Sequence, residues 1–182
     1  MKRVFLGLDL PSQLKEKVED FKLNKDLSCL PIKLVEKENS HIALKFLDKL
    51  SDQQIDLVNK KIDEATRGFK NFEIQLKNII AFPDLKNPKV LALKVISLNL
   101  EGLAKKIFKA LEDLKFVEFK DRKYTPHITL GRIKNNLNPA ELEKISGLEF
   151  KDSFMVDQIQ MFSSTLTVSG PIYKILENFK LR

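Results

Sequence analysis

Two histidines occupy matching positions in two similar segments, and the chain holds no others. His41 opens the segment HIALKF and His127 opens HITLGR, so each histidine is followed by isoleucine, a small residue and leucine. Imidazoles change charge near neutral pH, so two of them can supply one neutral base and one charged acid. A phosphodiester suits such a pair, because its attacking and leaving oxygens lie roughly in line across phosphorus and each exchanges a proton.

Other chemistries fit these residues less well. Two histidines without a nearby carboxylate motif or cysteine pair make an incomplete zinc site. The chain also lacks the G-x-S-x-G motif of serine nucleophiles. A lone strand histidine is commonly a structural or surface residue, but two in matching frames favour a functional role over that alternative.

Each histidine begins a predicted β-strand. Alternate side chains on a strand share a face, so His41 is expected to lie with Ala43 and Lys45, and His127 with Thr129. The intervening apolar residues can be buried against helices. Both histidines are then left on the opposite face, where they can meet across one cleft.

The order of predicted elements occurs twice along the chain. Each half reads strand, helix, strand, histidine strand, helix, strand, and the turn-rich segment 83–88 separates the halves. The second half is predicted to contain a strand at 116–119 and one long strand over 150–162. A terminal hairpin is predicted within 165–179, turning at Ser169, Gly170 and Pro171.

Composition narrows the class of protein. The chain has 182 residues, of which 43% are hydrophobic, enough for a sizeable core. Its apolar runs are shorter than the roughly 20 residues of a membrane helix. The single cysteine, Cys29, cannot form an internal disulfide, which favours the cytoplasm. The net charge of +7 can attract an anionic partner. The basic residues are spread along the chain, however, so charge alone indicates only a solvated surface.

The segments HIALKFL and YTPHITLGRI resemble the paired H-x-[TS]-hydrophobic motifs of the 2H phosphoesterase superfamily. The likeness is specifically to its RNA 2',3'-cyclic phosphodiesterases, also called 2'-5' RNA ligases. It extends, in the expected order, through KLVEKENSHIALKFL, AFPDLKNPKVLALKV and STLTVSGPIYKIL. The resemblance implies an α+β fold of two pseudo-symmetric lobes, each an antiparallel sheet with helices outside, around a central cleft. Residues 1–182 would form one bilobal domain with interleaved lobes and a duplication boundary near 83–88.

The same resemblance implies an activity and its residues. The enzyme would hydrolyse the terminal 2',3'-cyclic phosphate of RNA to a 2'-phosphomonoester, with 2'-5' ligation as the reverse reaction. His41 would protonate the leaving 3' oxygen as general acid, His127 would activate water as general base, and Thr129 would bind the phosphate. No metal and no other cofactor is implied. The expected partner is RNA with cyclic phosphate ends, tRNA fragments among them, bound by a monomer.

Three residues near the motifs bear on phosphate binding. Ala43 stands where the family usually has threonine or serine, and a lost hydrogen bond to a charged group costs on the order of 1.5 to 3 kcal/mol. Lys45 is a phosphate-binding candidate, with a solvated strand lysine as the equal alternative. Arg132 is a further one, since a guanidinium suits phosphate. Strict alternation places Arg132 on the face away from His127, unless Gly131 allows a bulge.

Two aromatic residues are candidates for base stacking, and two alternative functions fit the same residues. Tyr124 and Phe46 are able to stack an RNA base, although core packing is the favoured reading of both. The first alternative function is a non-catalytic or weakly active module that binds RNA ends, motivated by Ala43. The second is a phosphodiesterase for another 2'-5' or cyclic phosphate substrate, because the same histidines would serve that chemistry.

Overall fold

The computed structural model describes residues 1–119, 124–168 and 170–181. Within these ranges the chain forms four α-helices and nine β-strands. In chain order they are β1 (Lys2–Asp9), α1 (Ser12–Asn24), β2 (Ile32–Leu34), β3 (His41–Leu50), α2 (Asp52–Thr66), β4 (Phe72–Phe82), β5 (Val90–Ile96), α3 (Leu98–Leu111), β6 (His127–Ile133), α4 (Pro139–Ser146), β7 (Lys151–Val156), β8 (Gln158–Leu166) and β9 (Pro171–Lys180). No helix in the described ranges is long and apolar enough to cross a membrane.

The strands form antiparallel pairs in the order β7-β4-β5-β6-β3-β1-β8-β9, and β2 pairs with residues 131–133 of β6. The predicted α+β class with antiparallel strands is therefore confirmed. The two strand groups, β1-β3-β8-β9 and β2-β4-β5-β6-β7, are joined into one sheet. They meet where Ile42 of β3 pairs with Ile128 of β6. The two histidine strands are thus neighbours at the middle of the sheet.

The helices begin at sequence signals and bury their apolar stripes against one side of the sheet. Ser51 and Gln54 form the predicted capping box of α2, and Asn138 and Glu141 form another at α4. The apolar stripes of α2 and α3 share one core with the inner strand faces. Members of this core that are fully buried include Leu6, Ile42, Val58, Ile62, Ile74, Leu93, Leu103, Ile107 and Ile128.

Two predicted strands differ from the structure. The segment 116–119 is not a strand, because the Val117 amide donates to the Leu114 carbonyl at 2.8 Å and closes a turn. The predicted strand at 150–162 is two strands interrupted at Asp157. Their partners explain the break, since β7 pairs with β4 whereas β8 pairs with β1.

The terminal hairpin is present but longer than predicted. It is built from the whole of β8 and β9, which pair from Gln158 and Lys180 to Leu166 and Pro171. The Thr167 amide donates to the Gly170 carbonyl at 2.9 Å across the turn. Ser169, the first of the predicted turn residues, lies outside the described residues.

Strand β6 contains the irregularity that Gly131 was expected to permit. Gly131 pairs with Leu91 and Thr129 pairs with Ala92, so Leu130 is an extra residue on β6, as in a β-bulge. The backbone packs tightly there. A Cβ atom added to Gly131 would lie 2.7 Å from the Ile32 side chain and 2.9 Å from the Lys33 carbonyl oxygen.

We therefore expect Gly131→Ala to lower the free energy of unfolding by about 1–3 kcal/mol, the usual cost of overpacking. Gly102→Ala is the matched control, because a Cβ atom at this helical glycine meets nothing within 4 Å. The control should raise stability by roughly 0.5–1 kcal/mol. Urea unfolding of both variants measures the difference, and equal midpoints would contradict the close approach at Gly131.

Candidate active site

The pairing of two buried isoleucines places both histidines on one face of the sheet. Ile42 and Ile128 are opposite each other in antiparallel strands. Continuing this register by one residue in each direction sets His41 opposite Thr129 and His127 opposite Ala43. Directly opposite side chains share a face and have Cβ atoms about 4.5–5.5 Å apart. We call the side that carries His41, Ala43, His127 and Thr129 the histidine face.

Both imidazole rings are held in the same way. The Nδ1 atom of His41 lies 2.7 Å from the Asn39 carbonyl oxygen, and that of His127 lies 2.8 Å from the Thr125 carbonyl oxygen. A carbonyl only accepts, so each Nδ1 carries a proton and donates it. In the neutral ring the Nε2 atom then bears the lone pair. Each histidine therefore leaves Nε2 for proton exchange with a substrate.

Aromatic rings surround His41. Its ring centroid lies 4.9 Å from that of Phe5, 5.1 Å from that of Tyr173 and 6.2 Å from that of Phe162. The ring of His127 lies 4.8 Å from that of Phe82, its one such neighbour within the described ranges. Sequence reasoning did not identify these four aromatic residues, which lie on β1, β4, β8 and β9. Phe82 and Tyr173 lie in segments that carry the family resemblance, and all four lie on strands, but strand alternation does not reveal which strands are neighbours.

Burial by this aromatic surface lowers the pKa of His41 below the ordinary 6.5. The Asn39 carbonyl and the Asp9 carboxylate act in the opposite direction, while His127 and Lys15 lower the pKa further. Asp9 is opposite His41 in the register of β1 and β3. Its effect is reduced because its carboxylate pairs with the Lys15 ammonium at 2.7 Å. The ring of His41 is consequently biased toward the neutral form in the free protein.

Arg132 reaches the histidine face because of the bulge in β6. Arg132 pairs with Val90, and Val90 lies on the same face of β5 as Ala92 and Lys94. Since Lys94 is opposite His127, the Arg132 side chain shares the face of that histidine. Burial raises the pKa of Tyr173, and the nearby Arg132 guanidinium lowers it. The guanidinium therefore acts electrostatically on the tyrosine that packs against His41.

The predicted position of Lys45 on the histidine face is wrong. A register shift between Leu6 and Gly7 makes Lys45 the partner of Leu6, a fully buried residue of the other face. The Lys45 ammonium donates to the Glu118 carbonyl and lies 4.0 Å from the ring centroid of Phe119. These contacts direct it away from the histidines.

Phe46, and not Lys45, lies on the histidine face of β3. It pairs with Phe5 of the histidine face, and the two ring centroids are 5.5 Å apart. The prediction that Phe46 packs in the core is wrong, because the residue is 65% exposed. This exposed ring packs against Phe5, which in turn contacts His41, and it is available to a ligand.

The core-packing interpretation of Tyr124 is confirmed. Its side chain packs against the hydrophobic core and meets the Phe108 ring edge-on at 5.8 Å. Its hydroxyl donates to the Ala43 carbonyl oxygen at 3.3 Å. Tyr124 therefore supports the backbone of the first motif from the buried side.

The described part of the chain contains no group of three or more His, Cys, Asp or Glu side chains placed to hold a metal ion. Thr129, half-buried and opposite His41, offers a hydroxyl beside the imidazole. The site thus presents two imidazoles, one hydroxyl and one guanidinium on a single face. Such a set can transfer protons and hold an anion.

Known proteins resemble this chain over most of its length. A family model described as the 2'-5' RNA ligase superfamily matches residues 10–166. A Methanocaldococcus jannaschii protein named RNA 2',3'-cyclic phosphodiesterase is 34% identical over 181 residues, covering 97% of this chain and 99% of that protein. An Aquifex aeolicus protein of the same name is 33% identical over 185 residues, covering 98% and 97%.

Solved structures share the fold at lower identity. A Thermus thermophilus protein superposes with a TM-score of 0.87 at 23% identity, covering 99% of this chain and 98% of that chain. Escherichia coli LigT, solved in complex with 3'-AMP, gives a TM-score of 0.81 at 20% identity, again covering 99% and 98%. The likeness therefore extends over the whole architecture.

We expect His41 in the free protein to titrate below 6.5, because burial disfavours its charged form. The unfolded state then binds this proton at a higher pH than the folded state. His41 should thus make folding less stable as pH falls from about 6.5 to its folded pKa. Imidazole NMR titration, with His41→Gln to assign the signal, tests the shift, and urea unfolding across this range tests the linkage. A folded pKa at or above 6.5 would contradict the burial argument.

Proposed function

The chain belongs to the 2'-5' RNA ligase superfamily, and we propose that it hydrolyses the terminal 2',3'-cyclic phosphate of RNA to a 2'-phosphomonoester. One observation carries the proposal. His41 and His127 are both anchored through Nδ1 to a carbonyl two residues earlier, and both present Nε2 on one face. Two imidazoles presented in this way suit a reaction that takes one proton and gives another.

In the proposed reaction His127 is the general base and His41 the general acid. The neutral Nε2 atom of His127 removes a proton from water as the water oxygen bonds to phosphorus. The bond from phosphorus to the 3' oxygen breaks, and the Nε2 proton of His41 passes to that oxygen. The phosphate stays on the 2' oxygen, so the product is a 2'-phosphomonoester. When the 5'-hydroxyl of a second RNA takes the place of water, the same two proton transfers join the RNAs through a 2'-5' linkage, which is the proposed ligation.

In this proposal His41 acts as general acid only after bound substrate has raised its pKa. Burial favours the neutral ring in the free protein, as described above. A phosphate anion beside the imidazole favours the charged form and raises its pKa. Substrate binding would therefore protonate the general acid at the moment when it is needed.

Two further side chains are proposed to hold the phosphate. The Thr129 hydroxyl, opposite His41 in the continued register, can donate to a non-bridging oxygen. Arg132 can bind the same group through its planar guanidinium. The exposed ring of Phe46 is proposed to stack the terminal base, as aromatic side chains do with single-stranded RNA. Lys45 has no part in this proposal.

The setting of the reaction is also proposed. The substrate would be single RNA strands with cyclic phosphate ends, tRNA fragments among them. The enzyme would act as a monomer in the cytoplasm. It would need neither a metal nor another cofactor, because the two histidines account for both proton transfers.

We expect His41→Ala and His127→Ala each to reduce turnover by about 10²–10⁴-fold, the usual contribution of one acid or base group. The assay follows a short RNA with a 2',3'-cyclic phosphate end, in the presence of chelator, and resolves the 2'- and 3'-phosphate products. Thr165→Ala is a control, since Thr165 lies on the exposed end of the terminal hairpin. An unchanged rate in either histidine variant, or a 3'-phosphate product, would refute the assigned roles.

Ala43 provides a second test of the phosphate contacts. Ala43→Thr restores a hydroxyl opposite His127, and one hydrogen bond to a charged group is worth about 1.5–3 kcal/mol. We expect kcat/KM to rise by roughly tenfold or more. Ala43→Val has the same shape without the hydroxyl and should give no gain. Equal rates for the two variants would show that this position does not contact the phosphate.

A further inference from the structure

Three lysines from distant parts of the sequence form a row that starts at His127. Lys94 of β5 is opposite His127, Lys77 of β4 is opposite Lys94, and Lys151 of β7 is opposite Lys77. Directly opposite residues of antiparallel strands point to the same side of a sheet. The lysine row, meaning Lys94, Lys77 and Lys151, therefore lies on the histidine face. All three residues are exposed.

The spacing of the strands gives the length of the row. Neighbouring strands are separated by roughly 4.8 Å, so three steps from His127 to Lys151 span about 14 Å. This is long enough for a nucleic acid backbone that leaves the active site. The row crosses the strands, so its positive charges follow one line rather than a scattered surface.

Among the residues that the structure describes, little neutralises the charge of this row. Like charges directly opposite each other destabilise a sheet. The nearest ion pair joins Lys151 and Glu149 at 3.8 Å, and both side chains are at least 73% exposed, so solvent screens it. Glu73, on the same face of β4, accepts a hydrogen bond from Ser153 instead. An anionic ligand along the row would relieve the repulsion.

On the other side of His127, toward β9, the charge of the histidine face is different. The same row continues through Ala43, Gly7 of β1, Gln160 of β8 and Asn178 of β9, none of which is charged. Beside it, Asp9 places a carboxylate opposite His41. A polyanion that enters the site is therefore attracted toward β5, β4 and β7.

We propose that the lysine row binds the ribose-phosphate backbone of the RNA on the 5' side of the terminal cyclic phosphate. The inference rests on the proposed function, since it takes the cyclic phosphate to be bound between His41 and His127. It adds that the enzyme prefers oligonucleotides to mononucleotides. The preference arises from phosphate charge and should not depend on base sequence.

The test compares two substrates and two double variants. The substrates are a mononucleoside 2',3'-cyclic phosphate and a short single-stranded RNA with the same end. Lys77→Gln/Lys151→Gln removes the two lysines farthest from His127. Lys60→Gln/Lys144→Gln is the matched control, because it removes the same charge from exposed positions on α2 and α4.

We expect the row variant to lose kcat/KM for the oligonucleotide and to keep the wild-type value for the mononucleotide. Each phosphate contact contributes about 0.7 to the slope of log affinity against log salt for single strands, so losing two contacts should make the slope shallower by about 1.4. The control variant should retain both rates and most of the slope. Thermal unfolding should show no loss of stability, since the substitutions relieve repulsion.

Two results would overturn the inference. One is that the row variant has the same kcat/KM for the oligonucleotide as the control variant. The other is that the row variant loses kcat/KM equally on both substrates. Failure of the proposed function is distinguishable, because wild type would then turn over neither substrate. In that case fluorescence anisotropy with an RNA ending in a 2'-phosphate still tests whether the lysine row binds RNA. Weaker binding by the row variant than by the control supports it, and equal binding rejects it.

Discussion

The pairing of Ile42 with Ile128 is the constraint on which the site depends. It joins the two strand groups into one sheet, and both side chains are fully buried. Because side chains alternate along a strand, burying these two isoleucines fixes the residues on either side of them on the opposite face. A shift of one residue in this register would send one histidine into the core. Core packing and the position of the histidines are therefore set by the same contact.

Electrostatics divides the histidine face into two parts. On one side, aromatic rings bury His41 and lower its pKa, so that its charge depends on an incoming anion. On the other side, lysines follow one another across three strands from His127. A phosphate between the histidines would meet a hydroxyl and a guanidinium, and the chain attached to it would be attracted along the lysines. The uneven charge of the histidine face would therefore favour one orientation of a bound RNA strand, with its backbone over the lysines.

Irregular strand pairing decides which side chains take part. The bulge at Leu130 brings Arg132 to the histidine face, although simple alternation places it on the other side. A register shift in β3 turns Lys45 away and exposes Phe46 beside Phe5. Bulges commonly re-aim side chains next to active sites. In both strands the irregularity begins after the third residue of the motif, at Leu44 in β3 and at Leu130 in β6. The histidine and the two residues after it therefore keep regular strand alternation.

The sequence by itself determined much of the local structure and indicated a two-histidine chemistry. Matching frames around His41 and His127 predicted two histidine-bearing strands and favoured acid–base catalysis, and helix caps such as Ser51 and Asn138 marked where helices begin. Those features depend on neighbours within a few residues. The tertiary structure alone decided which strands are adjacent and where their register shifts. Only then do Phe5 and Tyr173 meet His41, and only then do Lys77, Lys94 and Lys151 form a row. Such contacts join residues far apart in the chain, and strand alternation carries no information about partners.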